Sequence, residues 1–225
     1  METPVEVARE LEARDEALAA AIADLLELEQ ESEQLRERAA EIEALRERLP
    51  AERLALKQRA AEAGAELERR QAEARHAEEE LERAEEKGNR EEIAAARRAV
   101  VRTKDEASTA AKRVGRLTNA AEDLEREAEA ADGEAPALEE GAAKTAARLA
   151  SVDRLSAPES PAPGLPAVVD WGARAKAALF VARSGLERER ESVVREANEL
   201  GASVLGEPLI AASVAGVRRR LEESG

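Results

Sequence analysis

Apolar residues return every seven positions along residues 4–87, in one frame that never shifts. Position a falls on Leu11, Leu18, Leu25 and Leu67, and position d on Leu28, Leu35, Ile42, Leu49 and Leu56. Of 22 a and d sites, 17 are Leu, Ile or Ala, so the pattern is not local. A seven-residue repeat keeps one seam facing a partner only if helices supercoil left-handedly, which predicts a coiled coil. The repeat restarts at Ile93 (a) and Ala96 (d) and runs to Leu149 and Val152, with Thr103 and Thr145 its polar sites.

Between the two arms lies Glu86-Lys87-Gly88-Asn89-Arg90. Gly88 suits the left-handed residue that ends a helix, and Asn89 suits the N-cap of the next, with Glu92 completing a capping-box-like pattern. The expected fold is therefore all-α: a long antiparallel coiled-coil hairpin over residues 1–155, turning at 86–90. A tight turn sets Ala84 opposite Ile93, and from there Leu67 faces Ala110, Ala60 faces Leu117, and Leu49 faces Ala128. In this register a large aliphatic meets an alanine in 11 of 18 layers, against 5 of 16 or 6 of 18 when it slides by one heptad. Large against small fills a close-packed seam without voids, so this register is favoured. Ser32 facing Thr145 would be a matched polar layer. Arg46, Arg53 and Arg70 sit at seam positions facing Ala131, Leu124 and Ala107, where long stems can cover the seam and lift the charge to water. Arms of this length make a rod of about 100 Å at ~1.5 Å per residue. Pro50 and Pro136 interrupt helix propensity without shifting the frame, which predicts a kink or short break at each and leaves room for an elbow.

Residues 156–166, Ser156 to Pro166, hold four prolines and one glycine and read as an extended linker. Residues 167–225 form a C-terminal two-helix module, with the chain's one Trp and one Phe. A helix from about Val168 to Leu200 would end at Gly201. Pro208 would open a last helix with the stripe Ile210, Val214, Val217 and Leu221. Two short helices cannot bury their faces alone. The surface on offer is residues 4–24 of the first arm, beyond the end of the second. The rival use of the module is docking or dimerisation through Trp171, Leu179, Phe180 and Leu186.

Charged residues are 38% of the chain, aromatics 1%, and the net charge is −15. Residues 167–225 balance at nine acids and nine bases, so the excess acid lies in the rod, which would repel bare phosphate backbones. There is no cysteine, so disulfides and thiolate metal sites are excluded. Residues 1–20 have no apolar leader run and no stretch reaches ~20 apolar residues, giving the expectation of a cytoplasmic protein with no membrane contact. The Ala, Arg, Glu and Gly bias resembles that of a high-GC bacterium.

Motifs for chemistry are sparse. Glu73-x-x-His76 has the spacing used in di-iron bundles, but a second such motif is required, His76 is the only histidine, and it falls at heptad position c. No phosphate-binding glycine loop occurs. Ser184, Ser192, Ser203 and Ser213 have no histidine near them in sequence. Arg218-Arg219-Arg220 is the one basic run, placed at a helix C-terminus where cations suit the macrodipole, with an anion contact as its second reading.

In periodicity and shape, residues 4–155 resemble the arms of SMC-type chromosome segregation ATPases, which also fold back antiparallel and bend at an elbow. They also resemble bacterial hairpin proteins ending in a zinc ribbon. The ATPase heads, their phosphate loop and the ribbon's cysteines have no counterpart here, and no functional residue carries over. The expected function is a non-enzymatic scaffold or adaptor: a rod-like spacer whose module binds a protein partner or a second copy. No cofactor, metal or small-molecule substrate is expected. The alternative is a nucleic-acid-associated protein touching phosphate through Arg218, Arg219 and Arg220.

Overall fold

A computed structural model describes residues 3–152, 158–159 and 161–224. Four helices follow in order: α1 (Pro4–Lys87), α2 (Arg90–Ala150), α3 (Leu165–Leu205) and α4 (Val214–Ser224). The fold is all-α, a long antiparallel coiled-coil hairpin with a small C-terminal helical module. Among the described residues no helix is long and apolar enough to cross a membrane.

The local signals explain the helix ends. Thr3 and Glu6 form a reciprocal capping box: Thr3 N–H donates to Glu6 Oε2 at 2.7 Å and Glu6 N–H to Thr3 Oγ1 at 3.3 Å. Thr3 thereby holds the Glu6 carboxyl below its ordinary pKa, its backbone hydrogen bond acting most strongly. Pro4 opens α1 where a missing N–H is harmless. At the turn Gly88 has φ +74°, a left-handed geometry that a side chain would strain, and its N–H donates to Ala84 O at 3.1 Å. Asn89 Oδ1 accepts from Glu91 N–H at 3.1 Å, and Asn89 Nδ2 donates to Glu92 Oε1 at 3.0 Å. Glu92 thus grips the Asn89 side chain rather than its backbone.

Contacts divide the chain into two compact units, residues 42–134 and residues 1–41 with 135–225. In the first of these, α1 and α2 meet in the expected register. Ile42, Leu49, Ala63, Ala74, Ala77 and Ala84 of α1 are buried, as are Val100, Ala110, Leu124, Ala128 and Ala131 of α2. The three seam arginines each find an acid beside their expected partner. Arg46 reaches Asp132 at 2.7 Å, Arg70 reaches Glu106 at 2.7 Å, and Arg53 pairs with Glu125. Their stems stay on the seam while the guanidinium emerges at its rim. Lys104–Glu78 (2.6 Å) and Arg97–Glu85 (3.0 Å) flank the seam on one side, and Arg48–Glu127 (3.0 Å) on the other.

In the other unit the same frame buries Leu11, Leu18, Leu25, Leu28 and Ala39 of α1 with Leu138, Ala142 and Leu149 of α2. Arg148 bridges Glu31 at 2.7 Å and Glu27 at 3.4 Å. Ser32 and Thr145 are both fully buried, but each hydroxyl donates to a backbone carbonyl, Gly172 O and Gly141 O respectively. The polar layer is therefore satisfied from the main chain.

Several expectations change. Of the kink or short break expected at each proline, the break does not form: α1 is continuous through Pro50 and α2 through Pro136. A proline deprives one carbonyl of its donor, Arg46 O and Asp132 O here, while the intact seam on either side holds the helix. α3 begins at Leu165, taking Pro166 into its first turn, and passes through Gly201 to a left-handed cap at Gly206 (φ +72°). Pro208 and Ile210 lie outside any helix, and Ile210 is 95% exposed, so α4 keeps only Val214, Val217 and Leu221 of the expected stripe. Residues 153–155, the expected end of the second arm, and residues 156, 157 and 160 of the expected linker lie outside the described residues.

The seam can be tested by moving its bulk. Leu49→Ala should lower stability by about 2–4 kcal/mol, read as the denaturant midpoint by circular dichroism. Adding Ala128→Leu should recover more than half of that loss, because large still meets small. No recovery would contradict the register.

Candidate functional site

Among the described residues, the chain does more than pair α1 with α2 in the unit of residues 1–41 and 135–225, where α3 and α4 pack on the hairpin. The seat of α3 begins with a glycine. Ser32 Oγ donates to Gly172 O at 3.4 Å, and a Cβ built on Gly172 would stand 2.7 Å from Arg36 Cβ. Only a hydrogen fits between the two helices there. From that point α3 runs antiparallel to α1, with Lys176 at Glu33 (3.1 Å), Arg183 at Glu29 (2.7 Å), Arg190 at Asp15 (2.6 Å) and Arg14 at Glu189 (3.1 Å).

Four acids of α1, Glu12, Asp15, Glu29 and Glu33, occupy heptad positions b and e, one flank of the hairpin seam. Each meets a cation of the module; the fourth is Arg218, 2.6 Å from Glu12. Asp15 is itself buried, and its hydrogen bond to Arg190 raises the guanidinium pKa above its ordinary value. Arg218 is raised in the same sense, by its hydrogen bond to Glu222 first and by Glu12 second. These pairs are partly exposed, so their role is alignment more than net stability.

Apolar burial supplies the hold. Trp171, Ala175, Leu179, Leu186, Val193 and Ala197 form one buried stripe of α3. After Gly206 the chain doubles back along α3. Asn198 clamps this return by donating Nδ2 to Ala211 O (3.1 Å) and accepting from Ala211 N–H (2.6 Å). At Gly201 an added Cβ would lie 2.4 Å from Leu209 Cδ2 and 3.0 Å from Val217 Cγ1, so the return segment and α4 both press on this glycine.

The opposite face of α3 is open. Phe180 is 56% and Val181 68% exposed. Val181 lines a groove of about 670 Å3 with Leu25, Ala178, Ala182, Gly185 and Leu186 among others, and Phe180 lies outside that lining. Arg183 lies with its guanidinium carbon 5.6 Å from the Phe180 ring centroid, a cation–π distance. Of the four residues proposed for docking, Trp171, Leu179 and Leu186 are thus spent inside the unit, and Phe180 faces outward. Trp171 Nε1 finds no acceptor among the described residues. Val181, one residue further, joins the outward face. Its pairing with Phe180 on the far side of the Trp171 stripe is the sequence signal that marks it.

The basic run divides as well. Arg218 is held by Glu12 and Glu222, whereas Arg219 and Arg220 are exposed. In the unit of residues 42–134, Glu73 is engaged by Arg70 at 3.0 Å, and His76 Nδ1 lies 3.8 Å from Glu80 on the exposed surface. Among the described residues no group of three His, Asp or Glu gathers at metal-binding distance.

Comparison with protein families, characterised proteins and solved structures yields no match.

Two glycine substitutions separate seat from surface. Gly172→Ala forces α3 away from α1 and should cost about 1–3 kcal/mol. Gly185→Ala meets open space and should stabilise the helix by about 0.5–1 kcal/mol. Thermal melts of the two proteins should move in opposite directions; a shared direction would contradict the packing of α3.

Proposed function

We propose that the chain is a non-enzymatic coiled-coil scaffold or adaptor working in the cytoplasm. The hairpin sets a spacing and the outer face of α3 docks a protein partner. The observation that supports this reading is the outward pair Phe180 and Val181, on a helix whose other face is already fully used. A large exposed apolar pair gives up solvent exposure on docking, and aromatic side chains supply much of the anchoring energy at protein interfaces. A spacer role is also what the resemblance to SMC-type arms implies.

The alternative, phosphate contact through Arg218, Arg219 and Arg220, has weaker support. Glu12 and Glu222 already neutralise Arg218, and two exposed arginines on a chain of net charge −15 make a poor electrostatic footprint.

The test uses a photo-crosslinking benzoylphenylalanine in place of Phe180, with Glu79 as the control position, in cells producing the full chain. Illumination should give an adduct of defined mass from position 180 and none from position 79. Purified Phe180→Ser/Val181→Ser protein should keep its helicity and melting temperature, since both residues are exposed. No adduct at 180, or the same adducts from both positions, counts against docking on this face.

A further inference from the structure

The flank of the hairpin that α3 covers in one unit, heptad positions b and e, is uncovered in the unit of residues 42–134. On α2 it carries Arg97, Val101, Lys104, Ser108, Ala111, Gly115, Thr118, Glu122, Glu125 and Glu129 in turn. The order of charge along this flank is unusual. It is basic at Arg97 and Lys104, small and neutral from Ser108 to Thr118, and acidic from Glu122 to Glu129. Such a stripe is its own complement when reversed.

We propose that this flank of α2 seats a second copy of the chain, antiparallel to the first about a two-fold axis level with Arg113. Around that centre Ala111 faces Gly115 of the other copy, Ser108 faces Thr118, Lys104 faces Glu122 and Arg97 faces Glu129, each twice. Two-fold interfaces are self-complementary in this sense, every contact occurring in duplicate. The exposed surface fits the arrangement. Val101, 61% exposed, would be covered and would lie against the stem of Glu125. Gly115 has open space where a side chain would be, so two helices can approach closely. Gly64 of α1, on the same flank and level with Arg113 in the hairpin register, is also open. The surrounding charges are available. Among the described residues Glu122 and Glu129 make no ion pair. Arg97 and Lys104, paired with Glu85 and Glu78, keep more than half of their side-chain surface exposed and can bridge to a second acid. This interface is independent of the α3 face.

The proposal is tested on the full chain by sedimentation equilibrium over a concentration series. The wild type should approach twice the 24.2 kDa chain mass. Gly115→Phe points a ring into the centre of the face and should leave a monomer with unchanged helicity, since nothing lies within 4 Å of that position inside the chain. Arg97→Glu/Lys104→Glu and Glu122→Lys/Glu129→Lys should each weaken self-association by at least about tenfold. Mixing these two proteins one to one should restore a dimer, because each face then meets its opposite. A wild type that stays monomeric at every concentration overturns the proposal. So does a dimer that survives Gly115→Phe, or charge variants that fail to combine.

Discussion

Everything in this chain depends on how closely α1 and α2 can approach. The seam is built largely from leucine or isoleucine on one helix against alanine on the other, and it switches sides along its length: Leu49 and Ile42 are bulky on α1, Leu138 on α2. Alternation of this kind fixes register more firmly than uniform leucine, because a slip of one heptad sets bulk against bulk and leaves voids elsewhere. The arginines inside the seam obey the same geometry. An alanine opposite Arg46 or Arg70 gives the stem room, and Asp132 or Glu106 receives the charge one residue away. Each such layer adds a directional constraint to a seam that is otherwise only apolar.

The third helix extends this logic by one flank. Once α1 and α2 are zipped, positions b and e of α1 form a surface with its own pattern, and residues Glu12 to Glu33 write it in acids. α3 and α4 answer with Lys176, Arg183, Arg190 and Arg218. Individually such pairs are worth about 0–1 kcal/mol at the surface. The stripe from Trp171 to Ala197 therefore carries the binding, and the charges choose where along α1 it settles. Gly172 decides how deep, since its hydrogen occupies the space against Arg36 that any larger group would need.

The parts legible in the sequence were those governed by period and by single-residue chemistry. The turn at Gly88, the register and the buried stripe on α3 all rest on spacing that survives without knowledge of neighbours. The box at Thr3 and Glu6 carries the same kind of local signature and could have been read from it. What escaped depends on contacts. Gly201 has the look of a helix end, yet it lies mid-helix because Leu209 and Val217 require a surface without a side chain there. Ile210 matches the period of α4 but belongs to the return segment, whose course is set by the clamp of Asn198 on Ala211. Pro50 and Pro136 cost one hydrogen bond each, yet both helices stay continuous, because the seam on either side outweighs that cost. For the outward face, the sequence marked the aromatic-bearing module but could not tell which side of α3 the hairpin would claim.

The glycines inside helices sharpen the distinction between folding and other demands. A glycine in a helix interior is unfavourable by roughly 0.8–1 kcal/mol against alanine. At Gly172 and Gly201 the fold explains it, since an added methyl would strike a neighbour. Gly64, Gly115, Gly133 and Gly185 have no such neighbour among the described residues: a methyl at any of them would meet open space. Helix stability alone would favour alanine at all four. Gly185 lines the groove with Val181, and Gly115 sits at the centre of the self-complementary flank of α2, level with Gly64. Both faces read as interaction surfaces on grounds of apolar exposure and charge thus carry a glycine without an intramolecular use, while Gly133, at heptad position f, lies on neither. A surface that must admit another helix at close range is a sufficient physical reason for both.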